Sequence, residues 1–176
     1  MNLHALCVLL VSIFMEAKTQ SGEVEGHCHQ VVNIFPAKLR ELRTTFNKVK
    51  DYFQMKDDAL NTILLEDNLL QEFKGSLGCH SVVEMLRFYL EDVLPNAISG
   101  SKGVTIDVSY IGNQLVDLRH TLRRCHNFLP CDRKSRTVKQ IKETYKKMQA
   151  KGIYKAMGEF DIFIDYIEDY LMSKKK

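Results

Sequence analysis

The chain has 176 residues, 45% of them hydrophobic and 27% charged, the balance of an ordinary globular protein that can bury a core without metal. A formal charge of +3 is too small to mark a nucleic-acid binder. Three prolines and nine glycines, set between long periodic stretches, favour helix throughout.

Leu3 to Met15 is an apolar run interrupted only by His4 and Ser12. It has the length of a signal-peptide core and is short for a membrane span. No Lys or Arg precedes it, so the amino terminus supplies the positive charge. Residues 1–20 are therefore expected to be a signal peptide removed between Ala17 and Gly22, with 21–176 as one secreted domain and no membrane insertion afterwards. Loss of Cys7 with the signal leaves Cys28, Cys79, Cys125 and Cys131, an even set that predicts two disulfides with three pairings open. Histidines flank Cys28 and adjoin Cys79 and Cys125. A zinc site is nevertheless not expected, because helix neighbours point about 100° apart and the C-x-x-C spacing is absent.

Val31 to Pro36 is expected to be an extended approach to the first helix, since the residue before a proline avoids helix. Leu39, Leu42, Phe46, Val49 and Phe53 recur at steps of three and four and make one buried stripe. Arg40, Arg43, Asn47, Lys50 and Gln54 follow one residue later, on a polar flank about 100° away that by itself is a solvated face. Asp57-Asp58 marks a break. A shorter helix then carries Leu60, Ile63, Leu64, Leu69, Leu70 and Phe73, and the glycines of Lys74 to Gly78 end it.

The third helix presents Cys79, Val82, Val83, Leu86, Tyr89, Leu90, Val93 and Leu94 and is expected to stop at Pro95. Ser99 to Gly103 is a loop by composition. Val104, Val108, Ile111, Leu115, Leu118, Leu122 and Cys125 alternate steps of four and three, the mark of a helix buried along a narrow seam in a bundle. The fifth helix turns Val138, Ile141, Tyr145 and Met148 inward, and Lys139, Lys142, Lys146 and Lys147 outward. That basic face is either solvated or a site for a glycosaminoglycan such as heparan sulfate.

Gly152 is expected to break the chain before the last helix. There Ile153, Ala156, Phe160, Phe163, Ile167 and Tyr170 form an aromatic stripe, while Gly158, Asp161, Asp165 and Glu168 form an acidic one. Lys174 to Lys176 is a frayed tail. The sum is an all-α bundle of six helices. Leu129 to Ser135 spans at most about 20–25 Å, enough for a tight antiparallel turn but not for a long crossover. If its own groove lies out of reach, the final helix pair fills a neighbour's, and a two-fold domain swap closes the assembly.

The run Lys151-Gly152-Ile153-Tyr154-Lys155-Ala156-Met157-Gly158-Glu159-Phe160-Asp161-Ile162-Phe163-Ile164 resembles the C-terminal signature of the interleukin-10 family of helical cytokines. Further matches are Leu39 to Arg43, Tyr52 to Asp57, Phe73 to Cys79, Arg87 to Pro95 and Leu122 to Cys131. They occur in the family's order and span the mature chain.

The resemblance implies a secreted six-helix cytokine bundle forming an intertwined homodimer with the last two helices exchanged. It implies disulfides Cys28 to Cys125 and Cys79 to Cys131, each closing a long loop and so each contributing about 3–5 kcal/mol on chain-entropy grounds. It implies a high-affinity receptor chain met by Arg40, Arg43, Lys50 and Gln54 on one side and Lys155, Glu159, Asp161 and Glu168 on the other. A shared second receptor chain would meet the first and fourth helices. Signalling would run through receptor-associated tyrosine kinases and STAT factors, suppress inflammatory responses, and need no catalysis, cofactor or metal. Departures are Gly158, where some members carry a polar side chain, and one extra residue at Asp58 or Ala59. No N-x-S/T acceptor occurs, so N-glycosylation is not expected.

Two other classes compete with a cytokine. An enzyme lacks a nucleophile motif, a phosphate loop and metal spacing in this sequence. A secreted helical carrier or heparan-sulfate binder would rest on the basic fifth helix.

Overall fold

The computed structural model describes residues 34–76, 78–125 and 134–173, with the side chains of Arg124 and Cys125 excluded. The signal peptide, Cys28, Cys131, the Leu129 to Arg133 connection and the lysine tail lie outside the described residues. Those described are all-α, with no strand among them.

Helix α1 spans 34–47. Residues 34–36 are already helical where the sequence predicts an extended approach, and 31–33 lie outside the described residues. A two-residue turn at 48–49, tightened by bonds from Lys48 N to Thr45 O and Val49 N to Phe46 O, separates α1 from α2 (Lys50–Gln54). The turn preserves the phase of the stripe, for Leu39, Leu42, Phe46, Val49 and Phe53 are all buried.

The next segment departs further from expectation. Residues 57–66 form a non-helical bend in which Leu60 and Ile63 are 83% and 62% exposed, and helix α3 begins only at Asp67, running to Lys74. Leu64 and Leu65 turn inward. Their N–H groups are taken by the side chain of Glu159, a tertiary acceptor in place of a helical carbonyl.

Helix α4 (Gly78–Phe88) passes into a π-turn, Tyr89–Val93, and then into α5 (Leu94–Gly100). Pro95 therefore does not stop the helix. It occupies the first turn of α5, where it costs no hydrogen bond. Helix α6 (Thr105–Cys125) buries Val108, Ile111, Leu115, Leu118 and Leu122, the seam its heptads describe.

Helix α7 (Arg136–Lys147) buries Val138, Ile141 and Tyr145. The junction after it is at Met148 and Gln149, where Gln149 takes φ 52°. Gly152 lies inside α8 (Ala150–Gly158) rather than between helices. Its need is steric: a Cβ there would stand 2.7 Å from the carbonyl oxygen of Tyr145. The last predicted helix is two, because Glu159 separates α8 from α9 (Phe160–Ser173).

The aromatic stripe enters a core built by α1, α3 and the π-turn. The Tyr89 ring stacks on Phe163 at 4.7 Å and meets Phe160 edge-on at 4.9 Å. Phe46 meets Phe160 at 5.2 Å, and Phe73 contacts the rings of Phe163, Tyr166 and Tyr170. The Tyr89 hydroxyl donates to the Ala156 carbonyl at 2.9 Å, so the one polar atom on this buried ring is satisfied. In the single chain, α8 and α9 thus fill the groove left by the preceding helices.

Candidate functional site

The family resemblance assigns the polar flank of α1 and α2 and the acidic flank of α8 and α9 to two sides of one surface. The fold brings them edge to edge. Phe46 packing on Phe160 sets α1 beside α9, and charges flanking the apolar stripe of each helix then meet. Arg43 donates to Asp165 at 2.7 Å and also to Glu168. Lys50 lies 2.7 Å from Asp161, and the Gln54 amide donates to the Gly158 carbonyl at 3.0 Å. Burial works against the charge on Arg43, but the bonds to Asp165 and Glu168 raise its pKa overall. The hydrogen bond to Asp161 does the same for Lys50.

Arg40 stands apart, exposed one helical turn before Arg43 with no ion pair among the described residues. Asp165, which the resemblance does not single out, is central to the seam through its bond with Arg43. Its acidic-stripe spacing is the signal that points to it.

Lys155 and Glu159 lie beneath this surface instead of on it. Lys155 is only 5% exposed, with its ammonium 2.7 Å from Asp57 and 3.6 Å from Glu159. The Glu159 carboxylate accepts from Leu65 N at 2.8 Å and Leu64 N at 2.9 Å. Burial raises the Glu159 pKa, against the opposing pull of those two N–H bonds and of Lys155. The knot is therefore a fastener for the 57–66 bend: Asp57 holds its start and Glu159 its inward-turning end. One helical turn earlier, Lys151 pairs with Asp58 at 2.7 Å in the open. The spacing of Lys155 and Glu159 makes their contact legible, since positions four apart share a helix face. Asp57 comes from the opposite half of the sequence, and no local pattern points to it.

Gly158 is buried, not exposed on an acidic face. A Cβ there would meet Asp57 and Gln54 atoms only at 3.6–3.8 Å, so a small side chain fits. Cys79 is disulfide-bonded. No group of three His, Cys, Asp or Glu among the described residues is arranged to hold a metal. No described helix is long and apolar enough to cross a membrane.

Nothing in this arrangement resembles an acid–base pair around a substrate cleft. It is a charge-rich edge, flanked by the exposed Met55 and by a bend that exposes Leu60 and Ile63. Comparison with known proteins agrees in kind. The interleukin 10 family model matches residues 3–173. Interleukin-10 of Gallus gallus is 49% identical over 173 residues, 98% of this chain and 97% of the relative. The Felis catus protein is 47% identical over 178 residues, with 99% of each chain covered, and that of Cervus elaphus 45% over 170 residues, covering 97% and 94%. This chain therefore belongs to the interleukin-10 family, and is a helical cytokine rather than an enzyme.

Proposed function

We propose that the protein is secreted, loses residues 1–20, and signals as an intertwined homodimer that assembles a class II cytokine receptor. The high-affinity receptor chain would meet the seam of Arg40, Arg43, Lys50 and Gln54 with Asp161 and Glu168. A shared second chain joins at another face. Associated tyrosine kinases and STAT factors then carry a signal that suppresses inflammatory responses. The observation that supports this reading most directly is that the fold gathers Arg43, Lys50, Gln54, Asp161 and Glu168 on one edge, although they come from opposite ends of the chain.

Lys155 and Glu159 enter this proposal as supports. Their buried charges hold the 57–66 bend beside the seam, and that bend includes the extra residue at Asp58 or Ala59. Arg40 is the anchor available without breaking an existing pair, and a guanidinium matches a carboxylate in two-pronged fashion. Arg43 must exchange its internal carboxylates for those of a partner.

The exchanged dimer uses the same chemistry. The contacts of α7–α9 with the rest of the fold do not depend on which copy supplies each side, so two chains can swap these helices and keep every buried ring. Disulfides Cys28 to Cys125 and Cys79 to Cys131 complete the proposal. The bonded state of Cys79 fits an oxidising compartment. A glycosaminoglycan is a second partner by virtue of the exposed lysines Lys139, Lys146 and Lys147 on α7.

Charge reversal tests the receptor surface. Arg40→Glu with Arg43→Glu should leave mass by light scattering and helicity intact, yet weaken receptor binding at least roughly tenfold, the scale of one lost charge-assisted pair. Unchanged affinity refutes the assignment. A mature chain that scatters as a monomer and still drives STAT phosphorylation refutes the exchanged dimer.

A further inference from the structure

The first turn of helix α7 depends heavily on its neighbours. Ser135 caps it, the hydroxyl accepting from Val138 N at 2.9 Å. Aspartate or glutamate would normally favour the positive end of a helix, yet α7 has no acidic residue in its first turn. Two other helices supply the negative charge. Glu84 of α4 accepts from the Ser135 N–H at 3.2 Å, while Glu72 of α3 accepts from the Ser81 hydroxyl and stands near enough to the Ser135 and Thr137 hydroxyls for them to lower its pKa. Burial pushes the Glu72 carboxyl up, and these hydroxyls bring it to a net value below the usual range. The inward anchor of α7 consists of only Val138, Ile141 and Tyr145, so its polar fastening matters more than it would on a wider apolar face.

We propose that Glu72 and Glu84 form a docking latch for α7, completing its N-terminus only when the α7–α9 unit is seated, and that in the exchanged dimer the latch grips a second copy of this chain. The unit it holds ends in the rings that stack on Tyr89, so releasing α7 removes the first restraint on withdrawing the whole unit. The inference rests on the exchanged dimer for its partner, but not for the latch, which is a property of the packed helices.

The test uses the full mature chain and the variants Glu84→Gln and Glu72→Gln with Glu84→Gln. Donor- and acceptor-labelled samples are mixed, and chain exchange is followed by energy transfer. The double variant should exchange roughly tenfold faster than the parent, the change that follows from losing one charge-assisted hydrogen bond, with the single variant in between. Amide hydrogen exchange at Val138 and Lys139 should accelerate by a similar factor while the α6 core around Leu115 keeps its protection, which also shows that the variant is folded. Unchanged protection in α7 overturns the latch. A latch effect on α7 amides in a chain that light scattering finds monomeric overturns the dimer alone.

Discussion

Two charge clusters fasten the C-terminal helices to the rest of the molecule, and they differ chiefly in their access to water. In the seam, Arg43 and Lys50 keep 33% and 34% of their side-chain surface exposed, and Asp165 keeps 66%. In the knot, the side chains of Lys155, Asp57 and Glu159 keep 6%, 13% and 12%. Both place opposite charges 2.7 Å apart. Distance alone would make them equivalent. Solvent separates them, because exposed pairs are screened and contribute little, whereas a buried charge deprived of its partner has nowhere to go. The seam can trade partners, as the proposed receptor contact requires, and the knot holds a bend in shape.

The largest effect that would sharpen this contrast is at Lys155. Lys155→Met should destabilise the fold by about 3–5 kcal/mol by stranding Asp57 and Glu159, read from urea unfolding midpoints. Adding Asp57→Asn and Glu159→Gln should recover most of that loss, since neutral groups need no countercharge. A loss under about 1 kcal/mol for Lys155→Met would show that the knot behaves as a surface pair.

An intermediate effect concerns pH. Burial raises the Glu159 pKa, so the folded state binds this proton more tightly than the unfolded state does. The contribution of this carboxyl to stability is therefore fully present below the unfolded-state pKa and is lost as pH rises through the higher folded value. Each tenfold difference in proton affinity between the two states is worth about 1.4 kcal/mol. The gap between parent and Glu159→Gln, measured from pH 7 down to pH 4, should move in favour of the parent. A gap independent of pH removes the burial argument.

The smallest effect belongs to the seam. Lys50→Ala should cost less than about 1 kcal/mol, already discounted for solvent, and less still in high salt. Its raised pKa means that its contribution is fully present below the ordinary lysine value and fades as pH rises through the higher folded value. A cost as large as that of Lys155→Met, insensitive to salt, would erase the distinction between the two clusters.

Much of the fold is legible in local spacing. The stripes of α1, α6, α7 and α9 are buried where their three- and four-residue steps put them, because a helix shows the same faces in any fold. The departures share one cause. Leu60 and Ile63 scan as a helix face, but Glu159 recruits the N–H groups that follow them. Pro95 scans as a stop, but the π-turn before it moves the proline into a new first turn. In one case a long-range contact, and in the other a change of helical register, outweighs a local preference.

The amino-acid sequence by itself determined the helical class, the inward stripes and, through its motifs, membership of a cytokine family. Each depends on residue type and short spacing. Only the tertiary structure decided that the acidic flank of α9 faces the basic flank of α1, that Lys155 is buried while Arg40 is exposed, and that α7 borrows its N-terminal charge from α3 and α4. Periodicity states which way a side chain points from its own helix. What it meets there depends on how distant helices pack, and on how much water they leave between the charges.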